Sequence, residues 1–276
     1  MKIKYLFQIL FLAILMTSCS RDGDSKIDQD NEPLLTNLKT GFLYPDLWII
    51  NRAEINFMFE YDRQKRVMKK TGGFLSISGS TGFNAMFTDK ISTSIIYQND
   101  KVTVEDFYNS TQFTIPKNSK YFTLNAQNQI TKKQSAGINI YWYKNDSYFY
   151  QNGQLDEIIT ALPNMIYDPG NPEDKILSYR EKFYYDANGN LAKTEYFKQL
   201  AGVDQQKERI RLFQNYDNSP NPFKKLTLLE EYFYRSLSKN NFASYKEYDY
   251  QNGKEVLKSA VDWTFNYNAA GNIIVN

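Results

Sequence analysis

The chain has no histidine and a single cysteine, Cys19. Without histidine it lacks the commonest general base, the imidazole metal ligand and the Ser-His-Asp and Cys-His arrangements of nucleophilic catalysis. One cysteine forms neither an internal disulfide nor a cysteine-rich metal site. Only carboxylates, lysine, serine and tyrosine remain for catalysis. We therefore expect a protein that is not an enzyme, that needs no cofactor and that has no metal site.

Neither sign of charge is in large excess. The chain has 33 Lys+Arg and 31 Asp+Glu, and two of the lysines but none of the acids precede Cys19. The remainder is therefore electrically balanced. A neutral chain with interspersed signs lacks the basic surface that recognises nucleic acid, so we expect no nucleic-acid partner.

The amino-terminal residues combine a positive start with a short apolar run. Two lysines accompany the eleven-residue, mostly apolar run 6–16, which is too short for a membrane-spanning helix of about 20 residues and is typical of a secretory signal. Residues 17–19 (Thr-Ser-Cys) then resemble the lipobox of bacterial lipoproteins, in which the cysteine is acylated and the chain is cut before it. The resemblance implies a signal peptide at 1–18 and a lipidated Cys19 that attaches the protein to a membrane.

The rest of the chain divides into a polar segment and a long aromatic-rich segment. Residues 20–37 are polar, acidic and free of aromatic side chains, which is typical of a flexible spacer. Beyond them, 22 Tyr, 19 Phe and 3 Trp in the whole chain provide material for a large core and favour strands. We expect a lipidated cysteine and acidic tether at 19–37 and a single all-β domain at 38–276.

Period-two alternation of apolar and polar residues dominates from Ala53 onward. At 55–61 and 261–267, apolar side chains occupy every second position. This alternation indicates antiparallel strands with one face buried and one face solvated. No apolar stripe of helical period and helical length is present, so the sequence predicts an all-β fold.

The turns between these strands repeat one template, which is an aromatic residue, a polar turn and then an aliphatic residue. Asn-Gly at 152–153 and 252–253 predicts two-residue hairpin turns with positive φ angles. In a longer version, Asp186 bonds its own backbone two residues on, and Gly189 takes the left-handed position. The seven turns lie at 61–67, 97–102, 124–130, 150–155, 185–191, 250–256 and 267–273. They predict an antiparallel meander of roughly 10–14 strands that forms a barrel or a strongly curved sheet.

Two of these turns resemble the tyrosine-aspartate repeats of Rhs-type and teneurin-type proteins, which build meandering β-sheets. They are 183–191 (FYYDANGNL) and 265–273 (FNYNAAGNI). Together with the lipobox, the acidic tether and the segment 216–223 (YDNSPNPF), they resemble exported lipoproteins of the Bacteroidota. Those proteins are grouped as domains of unknown function with a porin-like, curved antiparallel β fold. The resemblance covers about residues 40–276 and implies a fold and an outer-membrane address, at the cell surface or the periplasmic face, but no activity.

Aromatic side chains on a rigid sheet offer faces on which sugars or other flat ligands can stack. Alternation places Trp142 in the core and Tyr141 and Tyr143 on the opposite face. These two tyrosines are therefore the candidate ligand-binding residues. The alternative is that they form cross-strand aromatic pairs that stabilise the sheet.

The loop 168–174 (DPGNPED) carries several oxygen ligands of the kind that calcium prefers. Its Pro-Gly and Asn-Pro pairs are equally what a surface loop requires. We interpret it as a loop without a metal.

These observations favour a lipid-anchored, non-catalytic binding or scaffolding protein of the cell envelope, with a glycan or an envelope protein as partner. One alternative is a carboxylate-dependent glycoside enzyme, which needs two carboxyl groups in one cleft. The adjacent pairs 230–231 (Glu-Glu) and 105–106 (Glu-Asp) lie in strand-like segments, where neighbours point to opposite faces. The other alternative is a structural or adhesin module.

Overall fold

The structure is a computed structural model that describes residues 33–39, 49–110, 118–137 and 139–274. Most of it is one antiparallel sheet, in which each strand pairs with its neighbours in sequence. The strands are β1 (Asn37–Leu38), β2 (Phe57–Tyr61), β3 (Val67–Ser76), β4 (Ala85–Gln98), β5 (Lys101–Tyr108), β6 (Ser119–Leu124), β7 (Ile130–Ser135), β8 (Lys144–Gln151), β9 (Gln154–Ala161), β10 (Leu177–Tyr185), β11 (Leu191–Leu200), β12 (Val203–Tyr216), β13 (Phe242–Gln251) and β14 (Lys254–Asp262). A separate two-stranded sheet contains β15 (Asn266–Tyr267) and β16 (Ile273–Ile274). The predicted all-β meander is confirmed.

Helical structure in the described residues is limited to single turns. The 3-10 turns are Arg52–Glu54, Gly79–Thr81, Ile140–Trp142, Lys224–Leu226 and Glu230–Tyr232, and the α-helical turn α1 is Phe233–Ser236. Within the ranges given above, no helix has the length and apolar character to cross a membrane.

The predicted signal peptide at 1–18 and the predicted lipidated Cys19 lie outside the described residues, as does most of the predicted tether. The end of that tether needs correction. Leu35 is buried and Asn37–Leu38 pairs with β2. The structured residues therefore include some that composition alone assigns to a flexible spacer, because Leu35 of that polar segment joins the core.

The hairpin turns adopt the predicted backbone conformations. Asn152 and Gly153 have φ angles of 52° and 79°, and Asn252 and Gly253 have 50° and 77°. In the longer turn, the Asp186 carboxylate accepts hydrogen bonds from the backbone N–H groups of Asn188 and Asn190, both at 2.9 Å. The left-handed position of the four longer turns is occupied by Lys65, Asn128, Gly189 and Gly271.

The sheet is rolled around the segment 217–241 between β12 and β13, which we call the plug. The ring of Tyr232 lies 5.5 Å from that of Phe59 on β2. The next residue, Phe233, lies 6.1 Å from Tyr148 on β8 and 6.4 Å from Phe183 on β10. In a flat sheet, β2 and β10 would be about 38 Å apart, far beyond the reach of adjacent residues. The sheet is therefore strongly curved, and it stays open because β1 and β14 are not paired with each other.

The core lies between the concave face of this sheet and the plug. From the plug, Phe223, Leu226 and Tyr232 are fully buried, and Phe57 and Leu38 meet them from the sheet. Burying each such side chain contributes roughly 1.5–3 kcal/mol. Plug burial is therefore what holds the sheet in its rolled form.

Candidate functional site

A cavity of about 670 Å³ lies between the plug and the concave face of strands β6 to β12. Its volume falls within the range of about 300–1,000 Å³ typical of small-molecule sites. The lining mixes aromatic rings with side chains of both charges. This cavity is the candidate functional site.

Three lysines line the wall of this cavity that strands β6, β7 and β8 form, and the plug supplies a carboxylate to two of them. Lys133 Nζ lies 2.5 Å from Glu230 Oε1, and Lys120 Nζ lies 2.7 Å from Glu230 Oε2. Burial acts to raise the pKa of Glu230, but the two ammonium groups outweigh it and hold the pKa at about 2. Glu230 is therefore ionised at neutral pH. The third lysine of this wall is Lys144.

Two carboxylates meet at Lys133. Asp146 Oδ2 lies 3.7 Å from Lys133 Nζ, and Asp146 Oδ1 accepts a 2.7 Å hydrogen bond from the Thr160 hydroxyl. The cavity thus brings Asp146 and Glu230 together, as a carboxylate enzyme would require. A glycosidase also needs one carboxyl group with a raised pKa as general acid, and Glu230 has the opposite shift.

The prediction that Glu230 and Glu231 lie in a strand-like segment is wrong. Both residues lie in the 3-10 turn Glu230–Tyr232, so the alternation rule for strands does not apply to them. Glu231 forms an ion pair with Lys70 on β3, while Glu230 reaches β6 and β7. The two adjacent glutamates therefore fasten the plug to strands on different parts of the sheet.

The charged residues of β10 and β12 that line the cavity belong to a charge-balanced network that extends to β13 and β14. Arg211 Nη1 donates to Glu181 Oε1 at 2.8 Å, and Arg211 Nε donates to Glu247 Oε2 at 2.9 Å. Burial acts to raise the pKa of Glu247, but hydrogen bonds from Lys258 and Tyr245 and the nearby arginines hold it at about 2. The ion-paired network contains the cations Arg209, Arg211 and Lys258 and the carboxylates Glu181, Glu247 and Asp249.

Aromatic side chains from separate parts of the sequence line the cavity. Trp142 lies beside the lysine wall, and Tyr196 on β11 stacks on Tyr179 with ring centroids 5.4 Å apart and an interplanar angle of 17°. The backbone of Trp142 packs directly on Gly137, where a Cβ atom would lie 2.1 Å from the Trp142 carbonyl oxygen. Rigidly held rings of this kind offer apolar faces to a flat ligand.

The structure places the predicted residues Tyr141 and Tyr143 outside this lining. Tyr141 is 46% exposed and lies in the turn Ile140–Trp142, where its backbone N–H donates to Asn139 Oδ1 at 3.0 Å. A role for both tyrosines in binding stays a prediction. Their neighbour Trp142, which alternation places in the core, is instead half-buried and lines the cavity. Strand alternation does not predict the burial of Trp142, because residues 140–142 form a 3-10 turn and not a strand.

The carboxylates of the acidic loop 168–174 accept hydrogen bonds from backbone N–H groups of the same loop. Asp168 N–H donates to Asp174 Oδ2 and Gly170 N–H donates to Asp168 Oδ1, both at 2.9 Å. Across the part of the chain that the structure describes, no three acidic, cysteine or histidine side chains are grouped to hold a metal ion.

No protein-family model and no curated protein matches the chain. Among solved structures, it is similar to a porin-like protein from Bacteroides uniformis, with 11% identity and a TM-score of 0.45 over 79% of this chain and 80% of that chain. It is also similar to a porin-like protein from Bacteroides vulgatus, with 12% identity and a TM-score of 0.42 over 87% of this chain and 90% of that chain. Nothing about activity or ligand follows from similarities of this level.

Proposed function

We propose that this chain is a non-catalytic binding protein of the bacterial envelope, anchored by lipid on Cys19, and that its cavity binds an oligosaccharide. The observation that carries the proposal is the pairing of Trp142 and Tyr196 with fixed polar groups in one cavity. Ring faces suit the apolar faces of a sugar, and charged groups already held by partners present donors and acceptors at little cost in side-chain entropy.

The charge state of Glu230 supports binding rather than catalysis. Glu230 lines the cavity and has a pKa of about 2, so it carries no proton to donate at neutral pH. The second candidate, a glycoside-active enzyme, is supported by the meeting of Asp146 and Glu230 at Lys133. The two functions differ in whether a bound oligosaccharide is shortened.

The test uses the full-length chain, extracted from membranes in detergent, and a panel of oligosaccharides measured by isothermal titration calorimetry. We expect saturable binding that Trp142→Ala weakens by about tenfold or more, since loss of a stacking ring costs on the order of 1–3 kcal/mol. Ile166→Ala is the control because Ile166 is exposed and does not line the cavity. Absence of binding across the panel would contradict the proposal, and shortened sugars after incubation would favour the enzyme.

The envelope address has its own test. We expect metabolic labelling with a fatty acid to mark the wild-type chain and not Cys19→Ala, and we expect the wild-type protein in the outer-membrane fraction. Protease treatment of intact cells then separates a surface-facing from a periplasmic protein. Recovery of the unlabelled, uncut wild-type chain from the cytosol would contradict the lipid anchor.

A further inference from the structure

Three inward-facing positions form one row across the lysine wall of the cavity. In the register of the sheet, Lys120 on β6 is opposite Ser135 on β7, and Ser135 is opposite Lys144 on β8. All three side chains line the cavity. Two strand spacings separate the lysine backbones by about 10 Å, so the two lysines flank one serine on the inward face of the sheet.

This wall carries more positive than negative charge. Lys120 and Lys133 share a single carboxylate, Glu230, and the other acid of the wall, Asp146, lies 3.7 Å from Lys133. Among the described residues, no acidic side chain forms an ion pair with Lys144. Three ammonium groups thus face two carboxylates, whereas three cations and three carboxylates balance in the network of β10, β12, β13 and β14.

The plug itself shows that this wall accommodates a carboxylate. Glu230 presents one oxygen to Lys120 and the other to Lys133. A carboxylate held by two ammonium groups in a partly buried site is a charge-assisted interaction of the stronger kind. Lys120 and Lys144, on either side of Ser135, also provide two ammonium groups. Of these two lysines, only Lys120 is paired with a carboxylate among the described residues.

We propose that the row Lys120, Ser135 and Lys144 is a subsite for the anionic substituent, a carboxylate or a sulfate ester, of an acidic oligosaccharide. The inference rests on the proposed function and names the class of sugar that the cavity prefers. Trp142, two residues before Lys144, lies against the ring of the same sugar unit. Lys144 supplies the ammonium group that binds the anion, and Lys120 and the Ser135 hydroxyl supply further donors.

The experiment compares acidic sugars with their uncharged counterparts on the full-length chain. Oligogalacturonates are paired with their methyl esters, and chondroitin sulfate oligosaccharides are paired with their desulfated, carboxyl-reduced forms. We expect the acidic member of at least one pair to bind about tenfold more tightly, as for one added charge-assisted contact. We expect this preference to shrink as salt rises from 0.05 to about 0.5 M, because exposed charges are screened.

Matched lysine variants test the residue assignment. Lys144→Gln is expected to remove the preference for the acidic member of each pair, and Lys144→Arg is expected to restore that preference. Lys132→Gln on β7 is the control, since Lys132 adjoins the inward Lys133 in the strand and so faces outward. Circular dichroism of each variant checks that the sheet is intact.

The outcomes separate the two proposals. Equal affinity for charged and uncharged members of every pair overturns the acidic subsite while leaving the oligosaccharide-binding function in place. An unchanged preference in Lys144→Gln overturns the assignment to this row. Absence of binding for charged and uncharged sugars alike removes the proposed function and, with it, the subsite.

Discussion

Lys133 Nζ on β7 lies 2.5 Å from Glu230 Oε1 in the plug, although 97 positions separate the two residues in the sequence. Lys120 binds the other oxygen of the same carboxylate at 2.7 Å. The Glu230 side chain therefore joins the plug to two adjacent strands and cancels most of the repulsion between two ammonium groups.

The first prediction concerns that carboxylate. Glu230→Gln leaves Lys120 without its carboxylate partner and Lys133 with only Asp146, at 3.7 Å, and we expect the free energy of unfolding to fall by about 1–3 kcal/mol. Urea denaturation followed by tryptophan fluorescence measures the change. Glu173→Gln on the exposed loop 168–174 is the control and is expected to stay within about 0.5 kcal/mol of wild type. Equal stability of the two variants would show that Glu230 does not fasten the plug.

The second prediction concerns acid. The pKa values of Glu195, Glu230 and Glu247 are all lowered from 4.5 to about 2, because lysine and other hydrogen-bonding partners outweigh the effect of burial. A folded-state pKa below the unfolded value means that the folded state binds fewer protons, so this stability is present above about pH 4.5 and is lost as the pH falls toward 2. Urea midpoints measured between pH 7 and pH 2.5 should decline in that window.

Glu247→Gln should make the pH profile shallower, since one of the three shifted groups is gone. Glu173→Gln should leave its shape unchanged. A wild-type protein whose stability is constant from pH 5 to pH 2.5 would contradict the lowered pKa values.

The third prediction concerns the left-handed turn position. Gly189 has a φ angle of 81°, and Gly189→Ala is expected to destabilise the protein by about 1–2 kcal/mol. Gly79→Ala is the matched control, since Gly79 has neither a positive φ nor an atom within 4 Å of an added Cβ. At the equivalent position of the first long turn, Lys65 has a φ of 58°, so Lys65→Gly should cost nothing or stabilise. Thermal unfolding of the three variants gives the order.

The fourth prediction concerns Gly137. A methyl group there overlaps the backbone of Trp142, so Gly137→Ala should displace the ring from the cavity and weaken oligosaccharide binding about as much as Trp142→Ala. The far-ultraviolet circular dichroism should stay that of wild type because Gly137 lies between strands. Gly79→Ala serves again as the control and should bind normally.

The turns could be predicted from the sequence because their structure depends on local chemistry. Asn152 and Gly153 dictate a hairpin from their own backbone preferences, and Asp186 satisfies N–H groups only two and four residues away. Period-two alternation of apolar and polar residues predicted the strands. The spacing of the turns then predicted the number of strands and their meander order.

The plug and the cavity could not be predicted in this way. Tyr232 and Phe233 contact strands more than 80 residues distant, and nothing in their own neighbourhood encodes that contact. Polar residues on the inward face, such as Lys133 and Asp146, follow the same period-two pattern that indicates a solvated face. Only the rolled sheet shows that these residues face a shared interior.

The position of the plug late in the chain has a consequence for biogenesis. Twelve of the fourteen sheet strands precede it in the sequence, so Phe59, Tyr148 and Phe183 have no plug to pack against in a chain that ends at β12. A nascent chain that stops at β12 exposes the kind of surface that aggregates or recruits a chaperone. Tyr232 and Phe233 thus cover aromatic side chains that the twelve preceding strands cannot bury by themselves.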